Sequence, residues 1–196
     1  MRLAINLVLV CLLLTVAAGC RSGNSAVHQA EKYLSALNDN QAKILLTIGG
    51  KKFYPAESVF TCQLLASRDV LSITLTDQFD GRTMINIADK QWYGQVPVHA
   101  GIEADGKGAI SLKIGKLTDR ARLIGEGYRM TRGTISIITL DKEKVIFEIK
   151  GEVGPYSDFQ APDKLLPLEG IVVCKRPAIS FGDITEKEIF GSTSSN

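Results

Sequence analysis

The sequence predicts a mainly β chain, either an antiparallel β-sandwich or a small β-barrel, with a short N-terminal helix or linker in front of it. Three observations carry this. Apolar and polar residues alternate in short runs from residue 41 to residue 180, the period of a strand with one buried face. Gly, Asp, Asn and Lys cluster between those runs, where hairpins need turn residues. No βαβ rhythm and no internal repeat interrupts the pattern.

Taken in order, "SAVHQAEKYLSALNDN" places Val27, Ala30, Leu34 and Leu37 at helical spacing, with Ser25 as N-cap; a partly helical linker is the other reading. "KILLTIGGKKFYP" reads as two short strands around Gly49-Gly50, a pair suited to the positive φ of a tight hairpin. "SVFTCQLL" follows. "VLSITLT" sets Leu71, Ile73 and Leu75 on one face, and "RTMINIA" repeats this with Thr83, Ile85 and Ile87. After "DGKG" come Ile110, Leu112 and Ile114. "GTISIITL", the turn "DKEK" and "KVIFEIKGEV" form a hairpin with Val145, Phe147 and Ile149 inward. "EGIVVCKRP" closes the domain at Pro177. "PYSDFQAPDKLLPL" reads as an irregular connection. Residues 181–196 read as a polar tail whose Ile184, Ile189 and Phe190 are able to dock a short helix.

The segment before this domain has its own logic. Arg2 is followed by an apolar run from Leu3 to Val16, then by Ala17, Ala18 and Gly19. The run is shorter than the ~20 residues of a spanning helix, and small residues at its end suit a peptidase cleft. Residues 1–19 therefore read as an export signal. The tripeptide followed by Cys20 resembles the lipobox of bacterial lipoproteins, with Ala17 where that family favours Leu. The resemblance implies a lipidated Cys20 as mature N-terminus, a tether over residues 20–40, and a domain over 41–180. Acyl chains there would hold the protein on a membrane. Arg21 after the cysteine leans toward the periplasmic face of the outer membrane in a Gram-negative cell.

Cleavage before Cys20 leaves 177 residues and lowers the formal charge from +2 to +1. That length suits one domain with a sizeable core. A near-neutral balance excludes the basic excess that nucleic acid demands. Cys62 and Cys174 remain in the domain. An even pair in an exported chain favours a disulfide, closing a loop on the order of 100 residues that adds up to ~4–5 kcal/mol. Two buried thiols are the rival reading.

The order of "LLTIGGKKF", "SVFTCQL", "KVIFEIKGEV" and "LEGIVVCKR" is similar to the mycobacterial nineteen-kilodalton lipoprotein antigen family. The longer middle section, residues 91–132, and a tether less rich in Ser and Thr depart from it. The resemblance implies a disulfide-pinned β-domain on a lipid anchor, and it carries no catalytic residues.

No motif announces chemistry. His99 in "GQVPVHAG" reads as a loop residue, His28 as a solvated one, and there is no G-x-S-x-G or H-E-x-x-H. "GEGYRMTRG" reads as turn glycines rather than a phosphate cradle, and "EADGKG" and "DQFDG" lack the oxygen ligands of a calcium loop. No metal or cofactor is expected. One strip stands out: Lys116, Arg120, Arg122, Arg129 and Arg132, with Lys113, form a candidate patch for an anionic polymer or lipid headgroup, set against a merely solvated face. Trp92-Tyr93 reads either as a sugar platform or as packing. The expectation is a lipid-anchored, non-enzymatic binding or structural module of the cell envelope, with an envelope protein, lipid or glycan as partner. A carrier of an apolar ligand and an envelope hydrolase using His99 are the alternatives.

Overall fold

The computed structural model describes residues 28, 30–90, 92–94, 96–103, 108–157 and 164–191. The leader and Cys20 lie outside them. Among the described residues the strands are β1 (Gln41–Ile48), β2 (Lys51–Lys52), β3 (Phe60–Ala66), β4 (Leu71–Asp77), β5 (Arg82–Ile87), β6 (Val98–Ile102), β7 (Ile110–Asp119), β8 (Ile124–Leu140), β9 (Lys144–Pro155), β10 (Leu166–Lys175) and β11 (Ala178–Phe181). Residues 30–34 form a helical turn, α1, and Glu186–Phe190 form α2.

Eight strands close into an antiparallel barrel in the order β3-β4-β5-β7-β8-β9-β10-β1. Closure comes where β1 pairs back onto β3 at Gln41↔Thr61 and Ala42↔Phe60. That settles the choice between sandwich and barrel. The alternation predicted for β4, β5 and the first half of β7 is the burial pattern observed, and β1 and β3 show it too, with every second side chain inside. Gly49 and Gly50, at φ of 59° and 76°, make the β1–β2 turn.

The extra strands extend the barrel at its seams. Because β1 reaches only the start of β3, the upper part of β3 takes β11 as a parallel partner from Gln63 to Ala66. The chain thus returns to the sheet after Pro177 instead of ending there. β8 is long enough to change partner along one edge. Its first part pairs with β7, its second part with β6, and β9 follows its other edge along almost the full length. The stretch read as turn glycines, "GEGYRMTRG", is therefore the first half of β8, and Gly125 and Gly127 are strand residues.

One end cap and one outer-wall helix complete the packing. At the upper rim Trp92, 1% exposed, donates its indole N–H to the Ser67 carbonyl at 2.7 Å, and Ile184 and Ile189 join the interior. α2 is held there by a capping box between Thr185 and Glu188. Part of the segment read as a polar tail is thus packed. On the outer wall, Ala30 of α1 packs on Ile146, Ile171 and Val173, with Leu34, Leu45 and Ile138 around it. This explains why β9 and β10 carry apolar residues on both faces.

The expected Cys62–Cys174 bridge is not formed: both are free, buried thiols. Cys174 pairs in register with Ala42, while the Cys62 amide donates to the Asn40 carbonyl at 3.2 Å, so β1 runs between their backbones. At that seam the two side chains meet as neighbouring thiols, with no bond between the sulfurs. Burial, followed by a contact with the Cys62 thiol, pushes the Cys174 thiol well up. A thiol reagent is expected to leave both unmodified in the folded domain and to label both in denaturant. Rapid labelling of the native protein would refute the buried arrangement.

Candidate functional site

The strand polarity gives the barrel two unlike ends. The lower end, called the mouth here, collects the β4–β5 turn, the β7–β8 hairpin tip and the segment between β2 and β3. That segment carries "FYP", and it folds two aromatic rings into the opening.

Phe53 and Tyr54 are both buried and lie edge-to-face with centroids 4.8 Å apart; Tyr54 makes a like contact with Phe60, and Phe53 with Tyr128. The Tyr54 hydroxyl sits 2.7 Å from Thr83 Oγ1 and lies 3.0 Å and 3.2 Å from the Arg82 and Gly115 carbonyl oxygens. Burial holds its ionisation far above the ordinary tyrosine value, offset in part by those hydrogen bonds. Thr83 points inward for this purpose, which gives an inward polar residue on an otherwise apolar face a structural reason. Around the plug, Lys116 Nζ donates to the Phe53 carbonyl at 2.6 Å and lies 4.4 Å from the Phe53 ring centroid. It also pairs with Glu126 at 3.5 Å, and Tyr128 donates to Glu126 at 2.8 Å.

The turn beside the plug is equally specific. Asp77 is buried, and its Oδ1 accepts from the amides of Phe79 at 3.0 Å and Gly81 at 2.6 Å, closing the β4–β5 turn. A Cβ on Gly81 would meet the Asp77 carboxylate at 2.8 Å, so a larger residue there would have to displace that carboxylate. Gln78 then ties the turn to the plug segment, accepting from the Val59 amide and donating to the Glu57 carbonyl, both at 3.0 Å. Arg120 at the neighbouring hairpin tip pairs with Asp80 at 2.5 Å.

The basic strip does not assemble as one patch. Lys116 faces the plug; Arg120 pairs with Asp80, Arg122 with Asp119 at 3.7 Å, and Arg132 with Glu152 at 2.6 Å. Arg129 stands in register with Lys113 on the outer wall, one strand from Arg132's partner. Only Arg120 and Arg122 share the hairpin tip. The sugar-platform reading of Trp92 is corrected in the same way, since its ring is buried under the upper rim with Tyr93 edge-on at 5.2 Å.

His99 lies on β6 rather than in a loop, with Nδ1 2.6 Å from Ser136 Oγ. Ser136 is 7% exposed, and Glu148 stands opposite it on β9. The order across the wall is therefore imidazole, hydroxyl, carboxylate. In a nucleophilic triad the carboxylate orients the imidazole, which this order does not provide. Among the described residues no group of three His, Cys, Asp or Glu side chains is placed to hold a metal. Residues 104–107 of "EADGKG" lie outside the described set.

What the sequence did not point to is the apolar surface around the mouth. Leu123 is 78% exposed and Ile124 50%, with Phe79 and Val59 also exposed close by. Leu123 also holds a φ of 56°, a conformation that favours Gly or Asn. The signal was present in "RARLIG", two apolar residues between charged and glycine positions at a hairpin tip.

No family model, curated protein or solved structure matches the chain.

Proposed function

We propose that the chain is an exported lipoprotein, anchored through lipid on Cys20, whose barrel serves the cell envelope as a non-enzymatic binding or structural module. The observation that carries this reading is the leader, an apolar run ending in Ala-Ala-Gly-Cys. Supporting it, the chain enters the barrel through α1, which packs on the wall, so a tether and a folded body meet at a defined place. No helix among the described residues is long and apolar enough to cross a membrane.

The interior argues for a module that works through its outside. Tyr54, Phe60 and Phe147 fill the barrel along with the aliphatic rows, whereas a carrier needs that space for its ligand. The hydrolase reading loses support from the order of His99, Ser136 and Glu148 described above.

Cys20→Ser tests the anchor. The variant is expected to remain unprocessed at the leader or to leave the membrane fraction, while the parent protein resists salt extraction and partitions with detergent. A processed variant that stays on the membrane as firmly as the parent would sink the proposal.

A further inference from the structure

Several large apolar side chains are exposed around the mouth, on segments tied together by polar contacts. The Gln78 side chain joins Val59 to the β4–β5 turn, Phe79 stands on that turn, and Arg120 joins it through Asp80 to the hairpin bearing Leu123 and Ile124. The β7–β8 hairpin tip carries "RARLI", which sets basic and apolar side chains next to one another. Such a protrusion fits a soft surface better than a preformed pocket. Leu123 keeps a left-handed backbone at the place where glycine would be free of strain, so the side chain is retained against a local cost.

The direction of the chain adds a second, independent argument. Lys175, at the upper end of β10, donates to the Leu37 carbonyl at 2.7 Å, so the end of the helical segment lies at the upper rim. Ala30 packs lower, against Ile171 and Val173. Followed backwards, the segment runs from the upper rim toward the mouth. Cys20 lies ten positions before Ala30, a reach of up to ~33–36 Å. From Ile171 to the lower end of β10 at Leu166 is five residues, roughly 17 Å. A lipid on Cys20 thus reaches the plane of the mouth with slack.

We propose that the β7–β8 hairpin tip and the β4–β5 turn form a second, protein-borne contact with the leaflet that holds the lipid: Leu123, Ile124 and Phe79 enter the headgroup–acyl boundary, and Arg120 and Arg122 meet anionic headgroups. This rests on the anchoring reading above and adds an orientation to it. The ion pairs of both arginines with Asp80 and Asp119 are solvent-exposed and weak, so the guanidinium groups are free to exchange partners at a phosphate surface. Tethering raises the local concentration of the tip at the membrane, so a modest apolar contact suffices.

The test uses the full lipidated chain in vesicles of phosphatidylcholine and phosphatidylglycerol, with bromine on the acyl chains. Leu123→Trp places a reporter at the tip, Lys142→Trp places one on the exposed β8–β9 turn at the opposite rim, and the parent chain supplies the background of buried Trp92. Leu123→Trp is expected to lose emission to shallow bromines and to shift blue, with Lys142→Trp unchanged. A replacement of the anionic lipid by phosphatidylcholine should weaken the quenching. Flotation of all three chains with no quenching at position 123 would overturn the tip contact and leave the anchor standing. Failure of the parent chain to float would overturn the anchor and the tip contact together.

Discussion

Gly133→Val is expected to destabilise the barrel by about 3 kcal/mol or more, from overpacking added to backbone strain. Gly133 lies where β8 leaves β7 and takes up β6, next to an irregularity between Met130 and Arg132. Its φ of 136° is open to glycine and closed to valine. A Cβ there would lie 2.5 Å from Gly151 Cα and from Met130 Cε, and closer still to the Lys150 carbonyl oxygen. The backbone atoms in that list have nowhere to go, because Gly133 and Gly151 are register partners. The urea midpoint of the variant should fall far below that of the parent. Gly101→Ala is the control, since its Cβ would sit 3.6 Å from the Gly133 carbonyl oxygen, an ordinary contact. Equal midpoints for Gly133→Val and the parent would mean that the strand does not bend there.

Removing the plug is the second large effect. Tyr54→Ala is expected to cost about 3–5 kcal/mol, as for other large aromatic truncations in a core. Tyr54→Phe should cost about 1–2 kcal/mol, because the Thr83 hydroxyl loses its partner while the ring packing with Phe53 and Phe60 survives. The phenylalanine variant also has a signature at high pH. Tyr54 in the folded state ionises well above its ordinary value of 10.0, so its contribution is fully present below pH 10 and is lost as pH rises toward the folded value. Midpoints measured across the alkaline range should therefore fall more steeply for the parent than for Tyr54→Phe. Comparing the two cancels the lysines that titrate in the same window. Parallel curves would place the Tyr54 hydroxyl in water.

The sequence made the barrel wall legible wherever one face is apolar. β4, β5 and β7 alternate because their outer faces meet solvent, and period two is then visible. β8 hid its first half for the opposite reason: from Ile124 to Arg129 both faces are at least partly exposed, so no alternation survives and two glycines suggest a turn. The basic strip failed through the same geometry. Along a strand, neighbours point to opposite sides, so Lys113 and Lys116 end on different surfaces although only three positions separate them. Cysteine parity gave the number of thiols but not their state, two buried side chains in contact without a bond. The mouth was illegible because Tyr54, Thr83 and Gly115 come from three segments far apart in the chain, and only the fold brings the Tyr54 hydroxyl to the paired β5 and β7.

That closure has a consequence for the order of events during synthesis. β1 is the first strand made, and its longest pairing is with β10, from Gln41↔Lys175 to Ile48↔Leu168. The hairpins β3–β4, β4–β5, β7–β8 and β8–β9 are able to assemble as soon as each second strand emerges. β1 must instead wait, with most of one edge unpaired, until nearly the whole chain is available. An interruption before residue 166 would leave a nascent chain with a formed meander and an unclaimed first strand, open to recruitment by any other edge. A truncation that removes β10 should therefore take from β1 its longest pairing and leave the barrel open.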